Sequence, residues 1–132
     1  MGMLSQKQMK QRILVVDDEP QIREMLSMYF ARHGYEAATA GDSATTLRLV
    51  KETSVDVVVL DISLADEDGL KLLEQLKKNQ PSLRVIMLTG MGFVEDLLQE
   101  AQQKGADGYV SKVLPLDELL LAIQRILKTP AA

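Results

Sequence analysis

Short apolar runs alternate along the whole chain with stretches in which apolar residues recur at helical spacing. The clearest run is Val55–Ile62, which is dominated by valine and shows no alternation of polar and apolar positions. Such a run is typical of a strand that is buried on both faces of a parallel sheet. The pattern predicts five strands, at Arg12–Asp17, Tyr35–Ala40, Val55–Leu60, Arg84–Leu88 and Ala106–Val110.

A helix is predicted after each strand, and ordinary helix-ending signals separate the elements. Gly34 suits the left-handed position after the first helix, and Gly41–Ser43 supplies a turn and a cap for the second. Pro81 stops the third helix and Gly105 follows the fourth, while Pro115 suits the first turn of the fifth. The segment between the third strand and the third helix is predicted to be a loop.

Strict alternation of strand and helix predicts an α/β fold with helices on both faces of a five-stranded parallel sheet. Right-handed crossovers favour the doubly wound, flavodoxin-like strand order 2-1-3-4-5. In that order the first and third strands are neighbours, and ligands bind at the carboxyl ends of the strands beside that point. Polar residues that follow the strands are therefore expected to share one edge of the sheet.

Length and composition fit a single globular domain. The chain has 132 residues, of which 46% are hydrophobic and 26% charged, enough to bury a core without disulfides or a structural metal. We expect a domain over residues 12–128, a flexible arm at 1–11 and a tail at 129–132. The pattern shows neither an internal repeat nor a linker.

Charge and composition disfavour several functional classes. The net charge of −4 and the lack of a basic cluster argue against nucleic-acid binding. The absence of cysteine excludes thiolate chemistry and disulfides, and is compatible with a cytoplasmic location. No apolar run approaches the roughly 18 residues of a membrane span, and the N-terminal segment lacks the apolar core of a signal peptide.

Five polar residues follow four of the predicted strands, and their chemistry is complementary. Asp17 and Asp18 leave the first strand, Asp61 the third, Thr89 the fourth, and Lys112 lies just beyond the fifth. Three carboxylates in one cleft favour a hard cation such as Mg²⁺. An aspartate can also act as a nucleophile toward phosphorus, while a lysine and a hydroxyl group can hold phosphoryl oxygens. Together these residue types predict a phosphoryl-transfer site.

With these residues the chain resembles the receiver domain of two-component response regulators, and in particular the chemotaxis-regulator type. The resemblance covers about residues 12–128. The residues that carry it are Asp17-Asp18, Asp61, Asp68-Gly69, Thr89-Gly90, Tyr109 and Lys112.

The resemblance implies a role for each of these positions. Asp61 would be the phosphoacceptor and Asp18 a direct Mg²⁺ ligand, with Asp17 acting through water and the backbone carbonyl of Ser63 completing the protein's share of the metal shell. Such a domain is a phosphoprotein rather than a conventional enzyme, although it supports its own Mg²⁺-dependent phosphorylation and dephosphorylation.

Thr89 and Lys112 would bind the phosphoryl oxygens, and Thr89 and Tyr109 would form the switch pair of the family. When the aspartyl phosphate forms, the hydroxyl group turns toward it and the ring moves inward. The surface of the fourth helix, fifth strand and fifth helix then changes, so phosphorylation alters a partner-binding face.

Two positions depart from the family pattern. Val113 follows Lys112, where receiver domains usually have a proline with a cis bond. Because a cis bond before a non-proline residue costs about 3 kcal/mol, the sequence predicts a trans peptide here and a shifted loop up to Pro115. Ala65 replaces another common proline, and we expect this change to loosen the loop after Asp61 without altering the chemistry.

Each residue also has a structural interpretation. The acids at 17–19 precede Pro20 and could simply favour a helix N-terminus. Lys112 could be an ion-pair partner of Asp61, Thr89 could be a turn residue, and Tyr109 could be an ordinary packing residue.

Beside the switch, a phosphorylation-independent receiver-like binding module remains an alternative function, motivated by Val113. A phosphate-ester hydrolase with an Asp nucleophile is disfavoured, because such enzymes of the haloacid dehalogenase type carry Asp-x-Asp after their first strand, whereas this chain has Asp17-Asp18 with no residue between them.

The resemblance also implies partners. A sensor histidine kinase or a phosphotransfer protein would supply the phosphoryl group, and a downstream partner or an attached output domain would read the result. The sequence leaves open a stand-alone regulator and an excised receiver. The fourth helix, fifth strand and fifth helix form a candidate dimer face, although Gly108 stands where winged-helix regulators often have an acid.

Overall fold

The computed structural model describes residues 10–64, 67–90, 94–112 and 115–128. Within these residues, five parallel strands form one sheet in the order β2-β1-β3-β4-β5, which confirms the predicted doubly wound topology. The strands are β1 (Arg12–Val16), β2 (Glu36–Ala40), β3 (Val57–Asp61), β4 (Arg84–Thr89) and β5 (Gly108–Ser111).

Five helices flank the sheet in the described part of the chain, and none of them is long and apolar enough to cross a membrane. Pro20 is the first residue of the first helix, and Gly34 follows its end with a φ of 91°. Asp42 caps the second helix by accepting a hydrogen bond from the Thr45 N–H at 2.7 Å. The helices are α1 (Pro20–Arg32), α2 (Ser43–Glu52), α3 (Gly69–Asn79), α4 (Glu95–Gln103) and α5 (Leu116–Lys128).

The β3 strand is the centre of the core, and all five of its residues are buried. Val57 and Val59 pack on the face covered by α1 and α5, whereas Val58 and Leu60 pack on the face covered by α2, α3 and α4. Because successive side chains of a strand point to opposite faces, the valine-rich run fills both hydrophobic layers. The strand therefore carries its final carboxylate to the edge of a rigid core.

The structure differs from the sequence prediction at the strand boundaries and in one loop. The β3 strand begins at Val57 rather than Val55, because the Asp56 carboxylate accepts the Arg12 N–H at 2.7 Å at this end of the ladder. Between β3 and α3, where we predicted only a loop, Ser63–Leu64 pairs antiparallel with Glu67–Asp68. This two-pair ribbon follows directly from the end of the central strand.

Candidate functional site

The carboxyl ends of β1 and β3 meet because these strands pair directly, with Val16 beside Leu60. The next residue of each strand is an aspartate. Asp17 is completely buried and Asp61 is 3% exposed, while Asp18 beside them is half-buried. The strand order thus places three carboxylates at one edge of the sheet, although Asp17 and Asp61 are 44 residues apart in sequence.

Lys112 joins the two buried carboxylates. Its Nζ lies 2.9 Å from Oδ2 of Asp17 and 3.0 Å from Oδ2 of Asp61, with Oε1 of Glu19 farther away at 3.8 Å. The Lys112 backbone N–H also donates to the Thr89 carbonyl at 2.7 Å, which fixes the lysine to the end of β4. The amine therefore neutralises part of the negative charge of the site.

The protonation equilibria of the site reflect burial and mutual charge. Burial raises the pKa of Asp61, and the Asp17 charge adds to that effect, although hydrogen bonds from Lys112 and the Ser63 N–H oppose it. Burial alone would lower the pKa of Lys112, but hydrogen bonds to Asp17 and Asp61 and their charges outweigh burial and raise it. Lys112 thus stays charged between the two aspartates.

Backbone and side-chain hydrogen bonds orient the carboxylates. Oδ1 of Asp17 accepts the Glu19 N–H at 2.9 Å, and Oδ1 of Asp61 accepts the Ser63 N–H at 3.0 Å. A guanidinium nitrogen of Arg23 donates to the Asp17 carbonyl at 2.6 Å. The Oδ1 atom of each buried aspartate is therefore held by its own loop, while Oδ2 faces Lys112.

The three aspartates form a group that can hold a metal ion. Asp17, Asp18 and Asp61 each offer one carboxylate oxygen, and these oxygens all lie within 4.8 Å of one another. Hard divalent cations prefer such an all-oxygen set. The donor chemistry thus fits a hard divalent cation, and the Lys112 ammonium already contacts two of the three carboxylates, those of Asp17 and Asp61.

Thr89 and Tyr109 lie on the same face of the sheet. Thr89 is completely buried at the end of β4 and pairs with Ser111, while Tyr109 pairs with Met87. Residues two apart on a strand share a face. The half-buried tyrosine packs against the core layer that includes Leu97 of α4. The tyrosine and a residue of α4 therefore pack against the same core layer.

Ser63 is exposed, and the structure places its backbone directly after the Asp61 strand end. The predictions that concern Val113 and Ala65, including the trans peptide after Lys112, fall outside the described residues. As predicted, Asp17, Asp18, Asp61 and Lys112 come together at the carboxyl edge, with Thr89 at the end of β4, whereas Tyr109 lies beside Met87, farther from that edge. Their chemical roles stay predictions at this point.

Sequence reasoning did not foresee how closely Gly69 approaches the site. A Cβ atom on Gly69 would lie 2.3 Å from the backbone oxygen of Asp61 and 2.7 Å from that of Ile62. The Gly69 N–H donates to the Ile62 carbonyl at 3.1 Å. The Asp68-Gly69 dipeptide, one of the features that carry the family resemblance, did draw attention to a glycine at this position. Only the folded backbone shows which atoms exclude a side chain there.

Replacing Lys112 with Met should destabilise the metal-free protein. The change leaves two buried carboxylates without their cation, and removal of one partner of a fully buried pair costs roughly 3–5 kcal/mol. Because water reaches the lysine at this edge, we expect a smaller loss of about 2 kcal/mol in the free energy of unfolding. Urea denaturation in the presence of a chelator measures this loss. Added Mg²⁺ should reduce the difference in stability between the variant and the wild type, because the ion supplies positive charge to the same carboxylates.

Lys104→Met is the matched control for this variant. Lys104 also forms ion pairs, with Glu74 at 3.2 Å and Glu100 at 3.8 Å, but both glutamates are exposed. Exposed pairs contribute little because water and salt screen them. We expect little change in stability and no special effect of Mg²⁺. Equal stability of Lys112→Met and the wild type in chelator would show that the aspartates do not depend on the lysine.

Comparison with known proteins assigns the chain to a family. The family profile described as "Response regulator receiver domain" matches residues 13–124. The probable transcriptional regulatory protein TcrX of Mycobacterium tuberculosis is 38% identical over 88% of this chain and 49% of its own length. Sporulation initiation phosphotransferase F of Bacillus subtilis is 32% identical over 90% of this chain and 95% of its own.

A solved structure adds the chemistry of a relative's site. A response regulator protein from Burkholderia pseudomallei, with a phosphorylated aspartic acid, calcium ion and citrate, is 27% identical with a TM-score of 0.81, covering 90% of this chain and 69% of its own. The chain spans between about a quarter and a half of several regulators that it matches. The profile match over most of the chain, together with the strand order, shows that this chain belongs to the receiver-domain family of two-component response regulators.

Proposed function

We propose that the chain is a phosphorylation-dependent signalling switch that accepts a phosphoryl group on Asp61. The observation that carries the proposal is the contact of one lysine with two buried aspartates at the carboxyl edge of the sheet, with Nζ 2.9 Å from Asp17 and 3.0 Å from Asp61. A purely structural core has little use for such a group, because buried carboxylates are costly. The family assignment supports the same chemistry.

In the proposed reaction an oxygen of the Asp61 carboxylate attacks the phosphorus of a phosphohistidine. The new O–P bond forms while the P–N bond breaks, and the electron pair stays on the imidazole nitrogen. The Lys112 ammonium holds Asp61 in the ionised, nucleophilic form and pairs with a phosphoryl oxygen as charge moves onto it. The Thr89 hydroxyl group binds a second phosphoryl oxygen.

Mg²⁺ is the cofactor in this proposal. Asp18 and Asp61 would coordinate it directly, Asp17 would act through water, and the backbone carbonyl of Ser63 would complete the protein's ligands. When bound, the ion neutralises charge on the carboxylates and the phosphoryl group. The cluster of three aspartates supports a divalent cation, and Mg²⁺ suits it because that ion retains waters and shares phosphoryl oxygens.

The proposed output is a changed surface at α4, β5 and α5. Thr89 and Tyr109 would act as the switch pair, supported by their common face of the sheet and by the packing of Tyr109 on the layer that contains Leu97. Half of the Leu121 side chain is exposed on α5, where it can contact a partner or a second copy.

A sensor histidine kinase or phosphotransfer protein in the cytoplasm donates the phosphoryl group, and a downstream protein or an attached output domain reads the altered face. The domain spans residues 12–128, with an arm at 1–11 and a tail at 129–132. Slow hydrolysis of the aspartyl phosphate, assisted by the same Mg²⁺, would reset the switch.

Acetyl phosphate tests the proposal directly. Incubation with acetyl phosphate and Mg²⁺ should add the mass of one phosphoryl group, and peptide mapping should locate it on Asp61. A chelator should suppress the adduct, because the clustered carboxylates otherwise repel the anionic donor. The absence of an adduct, or its location on another residue, would contradict the proposal and favour a phosphorylation-independent binding module.

A further inference from the structure

The backbone that follows Asp61 is anchored in the core at Ile62, which is buried and donates its N–H to the Leu88 carbonyl at 2.9 Å, but the ribbon beyond it lies largely at the surface. Leu64 is buried, but Ser63, Glu67 and Asp68 are exposed, and the ribbon they form has only two residue pairs. Exposed short ribbons are weak by themselves. The position of the exposed part of the ribbon, including Ser63, therefore depends also on contacts made outside the ribbon.

One such contact joins the ribbon to a different helix. The Glu67 carboxylate accepts the backbone N–H of Ser43 at 2.9 Å and also contacts the Ser43 hydroxyl group. Ser43 is the first residue of α2, whose early N–H groups have no partner within the helix and whose end carries partial positive charge. Asp42 already caps the Thr45 N–H, so the two carboxylates satisfy different donors.

This contact connects the two halves of the acidic site. On one side, Glu67 pairs with Leu64 in the ribbon, and the adjacent Ser63 donates its N–H to Asp61. On the other side, Ser43 lies three residues after Ala40, whose carbonyl accepts the Asp17 N–H at 3.1 Å. The Glu67–Ser43 contact therefore fixes the position of the backbone after Asp61 relative to the end of β1, which is followed by Asp17.

We propose that Glu67 is a positioning residue for the metal site. By binding Ser43, it fixes the positions of the Ser63 backbone and the Asp61 carboxylate relative to Asp17 and Asp18. The inference rests on the proposed function, since it concerns the same metal. Glu67 itself does not touch the aspartates in this role. Its effect is to reduce the conformational freedom that metal binding would otherwise have to remove.

Calorimetric titration with Mg²⁺, without any phosphodonor, tests this role. Glu67→Ala should weaken Mg²⁺ binding by roughly 3- to 10-fold. This loss is smaller than the roughly 10- to 100-fold loss of metal affinity that is typical when a group in direct contact with a metal-binding side chain is removed. Glu67→Gln should stay close to the wild type, because its amide oxygen can still accept the Ser43 N–H while its charge is gone. Glu74→Ala, which removes an exposed glutamate of α3 that pairs with Lys104, is the control and should bind normally.

Ser43→Pro removes the donor instead of the acceptor. Proline is favoured at the first position of a helix, and the extended backbone of Asp42, with a ψ of 171°, suits a following proline. This variant should therefore keep α2 and reproduce the weaker Mg²⁺ binding of Glu67→Ala. The double variant should show no further loss, because both changes break the same contact.

Amide exchange in the metal-free protein gives a second readout. The Ser63 N–H is bonded to Asp61, so in Glu67→Ala it should exchange faster, whereas amides of β3 should keep their protection. Unchanged Mg²⁺ affinity in Glu67→Ala would overturn the inference, and so would equal weakening in Glu67→Gln, which would indicate a charge effect instead of positioning.

The outcomes separate this inference from the proposed function. If wild-type protein forms the Asp61 adduct while Glu67→Ala binds Mg²⁺ normally, the switch stands and the positioning role fails. If Glu67→Ala loses affinity but the wild type forms no adduct, Glu67 positions a metal site that does not accept phosphoryl groups. Wild-type protein that binds no Mg²⁺ would overturn both.

Discussion

An Asp61→Asn chain should form no phosphoryl adduct with acetyl phosphate and Mg²⁺. The amide is nearly isosteric with the carboxylate but lacks the nucleophilic oxygen, so the O–P bond cannot form. Intact mass spectrometry measures the result against wild-type protein treated in parallel. Asp96→Asn, which alters an exposed aspartate in the first turn of α4, is the control and should form the adduct normally.

The same variant should remain folded and be at least as stable as the wild type. Burial and the Asp17 charge raise the pKa of Asp61 above its ordinary value of 3.8, so ionisation of this group in the folded protein costs stability. Below pH 3.8 the wild-type group is protonated in both states, and the cost is absent. As the pH rises through the raised pKa, the wild type loses stability that the asparagine variant keeps.

Urea denaturation in chelator at several pH values tests this sign. The advantage of Asp61→Asn should grow from acidic to neutral pH and shrink when Mg²⁺ is added, since the cation relieves the same repulsion. A variant that is much less stable than the wild type at neutral pH would show that Asp61 has a structural role through Lys112. An adduct that persists in the variant would place the phosphoacceptor elsewhere.

The strand order and the shared edge could be predicted because they depend on patterns that are strong in the sequence. The unbroken apolar run before Asp61 specifies a central strand, and alternation with helices leaves few windings of the sheet. The boundaries were harder to place. The Asp56 carboxylate accepts the backbone N–H of Arg12 at the start of the ladder. A side chain that replaces a backbone acceptor in this way leaves no periodic signal in the sequence.

The positions of individual atoms in the site depend on contacts between distant segments, which sequence reasoning did not reach. Lys112 was predicted at the edge, but not its nearly equal distances to Asp17 and Asp61. The link between Glu67 and Ser43 was missed because a two-pair ribbon has no periodicity and its acid resembles an ordinary loop residue. Tertiary structure alone shows which loop residues support the carboxylates.

Gly69→Ala should lower the free energy of unfolding by about 3 kcal/mol, the upper part of the range for overpacked sites. Helix propensity alone predicts the opposite, because Gly69 is the first residue of α3 and alanine is the better helix former. The added Cβ, however, would lie 2.3 Å from the Asp61 oxygen and 2.7 Å from the Ile62 oxygen. Both are backbone atoms, so no rotamer change can relieve the contact.

Chemical denaturation should be measured together with phosphorylation, because the atoms that must move belong to the residue that accepts the phosphoryl group. Any shift of the Asp61 carbonyl alters the hydrogen bond between its carboxylate and Ser63, so adduct formation should slow even under conditions where the variant is fully folded. Gly90→Ala is the control at the same edge, since its Cβ would meet Cδ of Lys112 at an ordinary 3.7 Å. If Gly69→Ala were as stable and as rapidly phosphorylated as Gly90→Ala, the backbone after β3 would be able to move without cost, and the close approach of α3 would not constrain the site.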